Sequence, residues 1–297
     1  MTGFGETVTG FDERPVRSWR WLLRDTEARL GSPREARWML ERATGWEGAE
    51  LWRHIDEAAT TRAAVFVDRM VGRRTRGEPL QYVLGRWRFR RLDLLVDRRV
   101  LIPRPETEVV GEVAVAELRR QGGRRPVVVD LGTGSGALGL SVAEEVAGAR
   151  VWCTDASPEA LAVARANLAG LGTPTATRVR LVQGTWWDAL PPELRGNVDL
   201  AVSNPPYVAA AEELPPEVAD WEPAGALRAG PTGLEAVEAI LDGALEWLRP
   251  SGALVVEIAP GQAEAALDRA RSAGFDRAEI RPDLAGRPRV LLARRRV

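Results

Sequence analysis

The hydrophobic positions of the first eighty residues repeat with the period of an α-helix. In residues 19–30, 36–43 and 63–71, apolar side chains recur three or four positions apart, and a glycine follows each stretch. This spacing puts the apolar side chains on one helix face, and glycine is a common helix stop. Ser32-Pro33-Arg34-Glu35 has the residue types of a capping box. We therefore predict an N-terminal helical bundle.

The period changes to two after residue 85. Apolar and polar side chains alternate in two short runs separated by Arg90-Arg91, which predicts a β-hairpin; the apolar members are Trp87, Phe89, Leu92, Leu94 and Val96. Two prolines in residues 102–108 indicate an extended connector, and a helix begins near Glu106.

These changes divide the chain into three predicted parts. A helical domain occupies residues 1–84, and its first thirteen residues, polar and glycine-bearing, are expected to be disordered. A β-hairpin linker covers residues 85–101, and a larger domain covers residues 102–297.

Strands and helices alternate in this larger domain. The apolar runs predict seven strands, near residues 127–130, 150–155, 179–183, 200–203, 254–258, 278–281 and 290–293. Helical patterns separate most of them, which predicts an α/β fold with a doubly wound, mostly parallel sheet. Ligands bind such sheets at the carboxyl ends of the strands. Asp130, Asp155, Gln183 and Asn204 all stand at such ends.

Composition removes several classes of chemistry. The chain has one cysteine, Cys153, one histidine, His54, and no lysine. A disulfide framework, a Cys/His metal site, a Ser-His nucleophile and a P-loop lysine are all disfavoured, and we expect no metal. No stretch is apolar enough to cross a membrane. We expect a cytoplasmic protein.

The stretch 199–207 ends in Asn204-Pro205-Pro206-Tyr207. Proline has no N–H, so this loop offers carbonyl acceptors and few donors. The Asn204 amide adds an acceptor and Tyr207 adds a flat ring, a set that suits a planar substrate carrying an NH₂ group. The alternative interpretation is a rigid turn after a strand.

A glycine turn, Gly132-Thr133-Gly134-Ser135-Gly136, follows the first strand of the larger domain. Such a turn lets backbone approach a ligand at a helix start, and Asp155 stands where an acid binds a ribose diol. Both a dinucleotide and S-adenosylmethionine fit these two features, although the glycine spacing is tighter than in dinucleotide sites. Trp186 and Trp187 are candidates for an adenine wall or for the core, and we favour Trp186 for the wall.

Three motifs resemble the HemK/PrmC family of protein-(glutamine-N5) methyltransferases, which act on peptide chain release factors. They are the connector Leu101–Glu108, the sequence Asp130–Gly136 and the Asn204–Tyr207 loop. The connector is the most specific, because amino-methylating DNA and RNA enzymes share the loop. The resemblance implies a class I methyltransferase (Rossmann-like) sheet of seven strands, S-adenosylmethionine as cofactor and a release factor as partner.

The same resemblance implies roles for individual residues. Gly132, Thr133, Gly134, Ser135 and Gly136 would approach the amino-acid part of the cofactor, Asp155 its ribose and Trp186 its adenine; Asn204 also borders the cofactor. Asn204, Pro205, Pro206 and Tyr207 would bind the glutamine amide, with Asn204, Pro205 and Tyr207 catalytic. Trp221-Glu222-Pro223 and Glu257 resemble residues that line or brace the pocket. The chain departs from the family pattern at Thr185, Ala259 and Arg90-Arg91.

Charge bears on the choice of partner. Residues 1–100 carry 20 arginines and 15 acids, whereas residues 101–297 carry 21 and 27. An adenine or cytosine amino-methyltransferase of DNA or RNA, the alternative function, would need a basic catalytic face. We therefore expect a protein substrate, no nucleic acid and a monomeric enzyme, with the helical domain docking the substrate. The predicted docking surface is arginine-rich: Arg69, Arg73, Arg74, Arg76, Arg86, Arg88, Arg90 and Arg91.

Overall fold

A computed structural model of the chain describes residues 17–296. The chain forms two compact units that divide between Leu84 and Gly85. The stretch 1–13, for which disorder is predicted, lies outside the described residues.

The described part of the N-terminal unit is helical. Its helices are α1 (Trp19–Leu30), α2 (Pro33–Thr44), α3 (Ala49–Arg53), α4 (Thr61–Arg74) and α5 (Leu80–Leu84). Ser18 and Ser32 cap the first two helices, and Gly31 and Gly45 end them with φ angles of 65° and 79°. A positive φ favours glycine at these helix ends.

The capping box predicted at residues 32–35 forms only in its first half. Ser32 Oγ accepts a hydrogen bond from the Glu35 N–H at 3.3 Å, while the Glu35 carboxylate binds the Arg74 guanidinium of α4 at 2.8 Å. The Glu35 side chain therefore joins α2 to α4 instead of completing the capping box.

The second unit begins with the predicted hairpin. Strands β1 (Arg86–Phe89) and β2 (Leu92–Leu95) pair antiparallel. The turn residue Arg90 has φ 52°, a conformation in which glycine is usual. Its guanidinium binds the Glu145 carboxylate at 2.6 Å and the Glu108 carbonyl at 2.9 Å. These bonds hold the Arg90 side chain in place at the hairpin turn.

The remaining elements of this unit alternate between helix and strand. They are α6 (Pro105–Gln121), β3 (Val127–Leu131), α7 (Ala137–Glu145), β4 (Arg150–Asp155), α8 (Pro158–Ala169), α9 (Thr173–Ala176), β5 (Val179–Gln183), β6 (Val198–Ser203), β7 (Val208–Ala209), α10 (Pro216–Ala219), α11 (Ala224–Leu227), β8 (Arg228–Gly230), α12 (Glu235–Trp247), β9 (Leu248–Glu257), α13 (Ala263–Ser272), β10 (Arg277–Pro282) and β11 (Pro288–Arg294).

Seven of these strands form one sheet in the order β10-β11-β9-β6-β3-β4-β5. From β9 to β5 in this order, each strand is parallel to the next, and β11 runs antiparallel to both of its neighbours. The predicted doubly wound, seven-stranded sheet is therefore confirmed. The strand order reverses between β3 and β6, and a crevice for a ligand is expected at the carboxyl ends there.

Helices on both faces of the sheet bury its central strands. All five residues of β3 are buried, and α12 packs its apolar face, including Val237 and Ile240, into the core. The α6 helix contacts the sheet from β6 to β11. No helix within residues 17–296 has the length and apolar character needed to cross a membrane.

Candidate active site

A pocket of about 310 Å³ lies at the carboxyl ends of the central strands. Eight of the predicted site residues line it: Gly132, Thr133, Gly134, Ser135, Asp155, Trp186, Asn204 and Pro206. Gly136 caps α7, Pro205 is buried and Tyr207 is half-buried, and these three are not among the lining residues of the described chain. The structure thus brings the glycine turn and the Asn204 loop to one cavity.

The turn after β3 requires glycine for two reasons. Gly132, Gly134 and Gly136 have φ angles of 73°, 55° and 88°, which L side chains rarely adopt. A Cβ on Gly132 would lie 3.2 Å from the Trp186 ring, and one on Gly136 would lie 2.7 Å from Leu140 Cδ1. The turn therefore exposes bare backbone to the pocket at the start of α7.

Asp155, at the end of β4, is fixed by backbone donors. Its two carboxylate oxygens accept hydrogen bonds from the Gly134 N–H at 2.8 Å and the Ser157 N–H at 2.9 Å. Burial raises the pKa of Asp155 above its usual value, against these bonds. A carboxylate held at the pocket wall in this way can accept hydrogen bonds from a diol.

The two neighbouring tryptophans lie in different surroundings. Trp186, with φ 44°, borders the pocket and contacts Gly132. Trp187 is buried, donates its indole N–H to the Ile240 carbonyl at 2.9 Å and stacks on Trp247 in the core. Thr185 also lines the pocket.

Asp130 is a pocket residue to which the sequence analysis assigned no role. Its Oδ2 accepts hydrogen bonds from Thr133 Oγ1 at 2.6 Å and the Gly139 N–H at 2.9 Å. Its Oδ1 is buried without a partner among the described residues, and burial raises its pKa to about 6. An unpaired buried acceptor fits the ammonium group of S-adenosylmethionine. Its position at a predicted strand end was the feature of the sequence that pointed to the pocket.

The Asn204 side chain is held by a hydrogen bond to helix α6. Asn204 Nδ2 donates to Thr107 Oγ1 of α6 at 3.1 Å. The Tyr207 hydroxyl donates to the buried Glu257 carboxylate at the end of β9, at 3.5 Å. Thr107 lies in the family-specific connector, but no sequence pattern assigned it a partner.

Further hydrogen bonds connect the segments that surround the pocket, which are the loops after β6 and β9 and the connector before α6. The Gln262 amide donates to the carbonyls of Tyr207 and Gly233 and accepts from the Ala259 N–H. Ala259 has φ −67°, a value that alanine adopts without strain. The Glu222 carboxylate, nearly fully buried, accepts from the Ile102 N–H at 3.0 Å and from the Arg104 guanidinium. This bond joins the connector to the loop that carries Pro223, also in the pocket wall.

Four of the arginines predicted to form the docking surface bind groups of their own unit. Arg73 binds Glu78 and the Tyr82 carbonyl, Arg74 binds Glu35, and Arg90 binds Glu145. Arg86 pairs with Asp93 across the hairpin. Each of these four side chains lies beside a carboxylate of its own unit, and Arg86 is exposed all the same, as are Arg69, Arg76, Arg88 and Arg91.

The sheet order and the pocket define a class I S-adenosylmethionine-dependent methyltransferase. Family models described as "Methyltransferase small domain" and "PrmC N-terminal domain" match residues 111–219 and 17–85. A relative from Moorella thermoacetica, named release factor glutamine methyltransferase, is 43% identical over 88% of this chain and 91% of its own. The chain belongs to the family of release factor glutamine methyltransferases.

Further comparisons agree with this assignment. A Bordetella pertussis protein of the same name is 41% identical over 91% of this chain and 97% of its own length. The T. thermophilus 16S rRNA N2 G1207 methyltransferase, solved with AdoMet and guanosine, is 20% identical with a TM-score of 0.51. It covers 71% of this chain and 50% of its own, and at that identity it supports the fold alone.

Proposed function

We propose that this protein transfers a methyl group from S-adenosylmethionine to the side-chain amide nitrogen of a glutamine in a peptide chain release factor. The observation that supports it best is the position of Asn204 beside the glycine turn, at one pocket, in a chain of this family. A strand-end acceptor for an NH₂ group thus faces the residues suited to the methyl donor.

The glycine-turn side of the pocket would hold the cofactor. The backbone of residues 132–136 would approach its amino-acid part, Asp130 would accept from its ammonium group, Asp155 would accept from the ribose hydroxyls and Trp186 would flank the adenine. When bound, the cofactor supplies an electrophilic methyl group on a positively charged sulfur. The buried, uncompensated Asp130 carboxylate gains a partner in this arrangement.

The Asn204 side of the pocket would orient the nucleophile. An amide nitrogen is a poor nucleophile because its lone pair is delocalised into the carbonyl group. Hydrogen bonds from its two N–H groups to Asn204 Oδ1 and the Pro205 carbonyl favour a pyramidal nitrogen, and Pro206 and Tyr207 flank the amide. Most of the rate enhancement is then positioning for in-line displacement.

Proton removal needs no strong base. The methylated nitrogen is acidic and releases its proton to water. Burial and the nearby Glu257 carboxylate raise the pKa of Tyr207 to about 12, so this phenol stays protonated near neutral pH and serves as a hydrogen-bond donor. This agrees with a pocket lined by neither histidine nor cysteine among its described residues.

A nucleic acid is the competing substrate class. The excess of acids over arginines in residues 101–297 disfavours a polyanion at the catalytic face. Docking of a protein through the helical unit 17–84 remains part of the proposal, as do a monomeric state and a reaction in the cytoplasm, where translation terminates.

The test is transfer of a labelled methyl group to a purified release factor, with the modified residue located by mass spectrometry. Label on one glutamine amide is expected. Label on an adenine or cytosine of added DNA or RNA, with none on the release factor, would replace this proposal by its alternative.

A further inference from the structure

The side-chain amide of Asn167 connects the glycine turn to the β-hairpin. Asn167 lies on α8 and is 7% exposed. Its Nδ2 donates to the Ser135 carbonyl at 2.8 Å and to the Leu95 carbonyl at 3.1 Å, and its Oδ1 accepts from the Leu95 N–H at 2.7 Å. Asn167 is not among the residues that line the pocket. One side chain thus joins three segments that are separated by 32 and 72 positions in the sequence.

The direction of this amide is fixed by its backbone partners. A backbone carbonyl only accepts hydrogen bonds and a backbone N–H only donates them. Asn167 must therefore present Nδ2 to the two carbonyls and Oδ1 to the Leu95 N–H, and both protons of Nδ2 are used. The bond to Ser135 is buried, so its loss would leave the carbonyl without a partner, which is costly.

The peptide unit between Ser135 and Gly136 is the part of the glycine turn that Asn167 holds. At the other end of this unit, the Gly136 N–H donates to the Thr133 carbonyl at 2.8 Å. Glycine adopts positive and negative φ with similar ease, so Gly136, at φ 88°, does not by itself prevent the peptide unit from reversing. The bond from Asn167 opposes this reversal because it holds the carbonyl oxygen toward α8.

The direction of the peptide units matters for the ligand that the turn would receive. Ser135 lines the pocket, and the turn is the segment that would approach the amino-acid part of S-adenosylmethionine. This part carries a carboxylate, which accepts hydrogen bonds from backbone N–H groups and is repelled by carbonyl oxygens. A reversed peptide unit would therefore weaken the attraction of the turn for the cofactor.

We propose that Asn167 is a positioning residue for the amino-acid part of S-adenosylmethionine: its amide fixes the peptide unit between Ser135 and Gly136, and with it the backbone that faces this part of the cofactor. The inference rests on the cofactor placement in the proposed function and adds one residue to it. Asn167 does not need to touch the cofactor. Because the same amide bonds to Leu95, it also holds the end of β2 to the glycine turn.

The test compares two ligands that differ in the part concerned. S-adenosylhomocysteine carries the amino-acid part, whereas 5′-methylthioadenosine has the same adenosine and sulfur without it. Calorimetry measures Kd for both ligands with the wild type, Asn167→Asp and Asn167→Ala. Asn167→Asp keeps the shape of the side chain and replaces its two donor protons by an acceptor, and Asn167→Ala removes the amide without placing an acceptor beside the Ser135 carbonyl.

Gln121 supplies the matched control. Its amide also joins distant segments, since Nε2 donates to the Asp199 carbonyl at 3.2 Å and Oε1 accepts from the Arg249 guanidinium at 3.2 Å. These partners lie near the amino ends of β6 and β9, and Gln121 does not line the pocket. Gln121→Glu and Gln121→Ala therefore make the same chemical changes away from the carboxyl ends of the strands.

In both Asn167 variants, Kd for S-adenosylhomocysteine is expected to rise roughly tenfold to a hundredfold, the range common for loss of a group that orients a ligand-binding residue. Kd for 5′-methylthioadenosine should change by about twofold or less, the scatter expected for groups that share no partner. The Gln121 variants should bind both ligands as the wild type does. A merely structural role of Asn167 would not distinguish the two ligands.

Equal losses for the two ligands in the Asn167 variants, or no loss for S-adenosylhomocysteine, would overturn the inference. Denaturant unfolding shows whether each variant is folded during the titrations. Failure of both Asn167 variants to fold would assign the residue to the fold alone and would also overturn it. Equal affinity of the wild type for the two ligands would instead overturn the proposed cofactor placement, and absence of methyl transfer to a release factor would overturn the proposed substrate without affecting the binding result.

Discussion

The two sides of the pocket are held by bonds of different range along the chain. On the glycine-turn side, Thr133 bonds to Asp130 three positions away and Ser157 to Asp155 two positions away. On the Asn204 side, Asn204 and Thr107 are 97 positions apart, and Ile102 and Glu222 are 120 apart. The first side combines such local bonds with the bond from the Gly134 N–H to Asp155, 21 positions away, whereas the two bonds named on the second side form only once distant segments have packed.

This difference indicates that mutations can separate cofactor binding from turnover. A change on the glycine-turn side should act on cofactor affinity, whereas a change on the Asn204 side should act on turnover with the cofactor still bound. The expected effects are ordered below from the largest to the smallest.

Asn204→Ala should lower kcat by about a hundredfold to a thousandfold, the range for removal of an oriented group that acts in the transition state. Kd for S-adenosylmethionine should change only a few-fold. Single-turnover methyl transfer and calorimetry measure the two quantities. Asn197→Ala, at an exposed turn where the side chain bonds only to carbonyls, is the control. An equally large loss of cofactor affinity would show that the two sides of the pocket do not act separately on binding and turnover.

Glu257→Gln should alter how stability depends on pH. The folded-state pKa of Glu257, about 7, lies above the unfolded value of 4.5, so the stability that it contributes is full below pH 4.5 and is lost as pH rises through 7. Near pH 8 the wild type should be less stable than Glu257→Gln by about 3 kcal/mol, relative to the difference near pH 4.

Denaturant unfolding of both proteins at the two pH values measures this difference. Subtracting the variant removes the contribution of Asp130, whose pKa is also raised. A constant difference between the proteins across the pH range would contradict a buried, weakly compensated carboxyl group at the end of β9.

Asp155→Ala should weaken S-adenosylmethionine binding by about 1.5–3 kcal/mol, the range for hydrogen bonds to a charged group. The value of kcat at saturating cofactor should change far less than in Asn204→Ala. Asp188→Ala, an exposed acid in the turn after β5, controls for net charge. Tighter binding of NAD than of S-adenosylmethionine by the wild type would reject the cofactor assignment for this side.

Arg91→Glu should have the smallest effect on the fold, within about 0.5 kcal/mol in unfolding free energy, because the side chain is exposed. If this arginine contributes to docking, kcat/KM for an intact release factor should fall several-fold at low salt and recover at high salt. Activity on a short glutamine peptide should be unchanged. A similar loss on both substrates would exclude a docking role.

Local pattern was sufficient for the elements whose conformation their own residues dictate. The buried run of β3, the serine caps of α1 and α2, and the glycine turn at residues 132–136 are each determined by neighbours a few positions apart. Boundaries set by packing were predicted less well. The strand predicted at 254–258 runs from Leu248 to Glu257, because its first residues pair beside Val198 of β6.

The sequence by itself determined the class of fold, the glycine turn and the presence of an amide-accepting loop, because period, turn chemistry and missing N–H groups are properties of short segments. Only the tertiary structure decided that Thr107 accepts from Asn204, that one Asp130 oxygen has no partner among the described residues and that Arg90 binds Glu145. The physical reason is that hydrogen bonding and burial depend on which distant groups come into contact. The sequence shows that a residue carries a carboxylate or a guanidinium, but not whether that group lies in solvent or beside a partner.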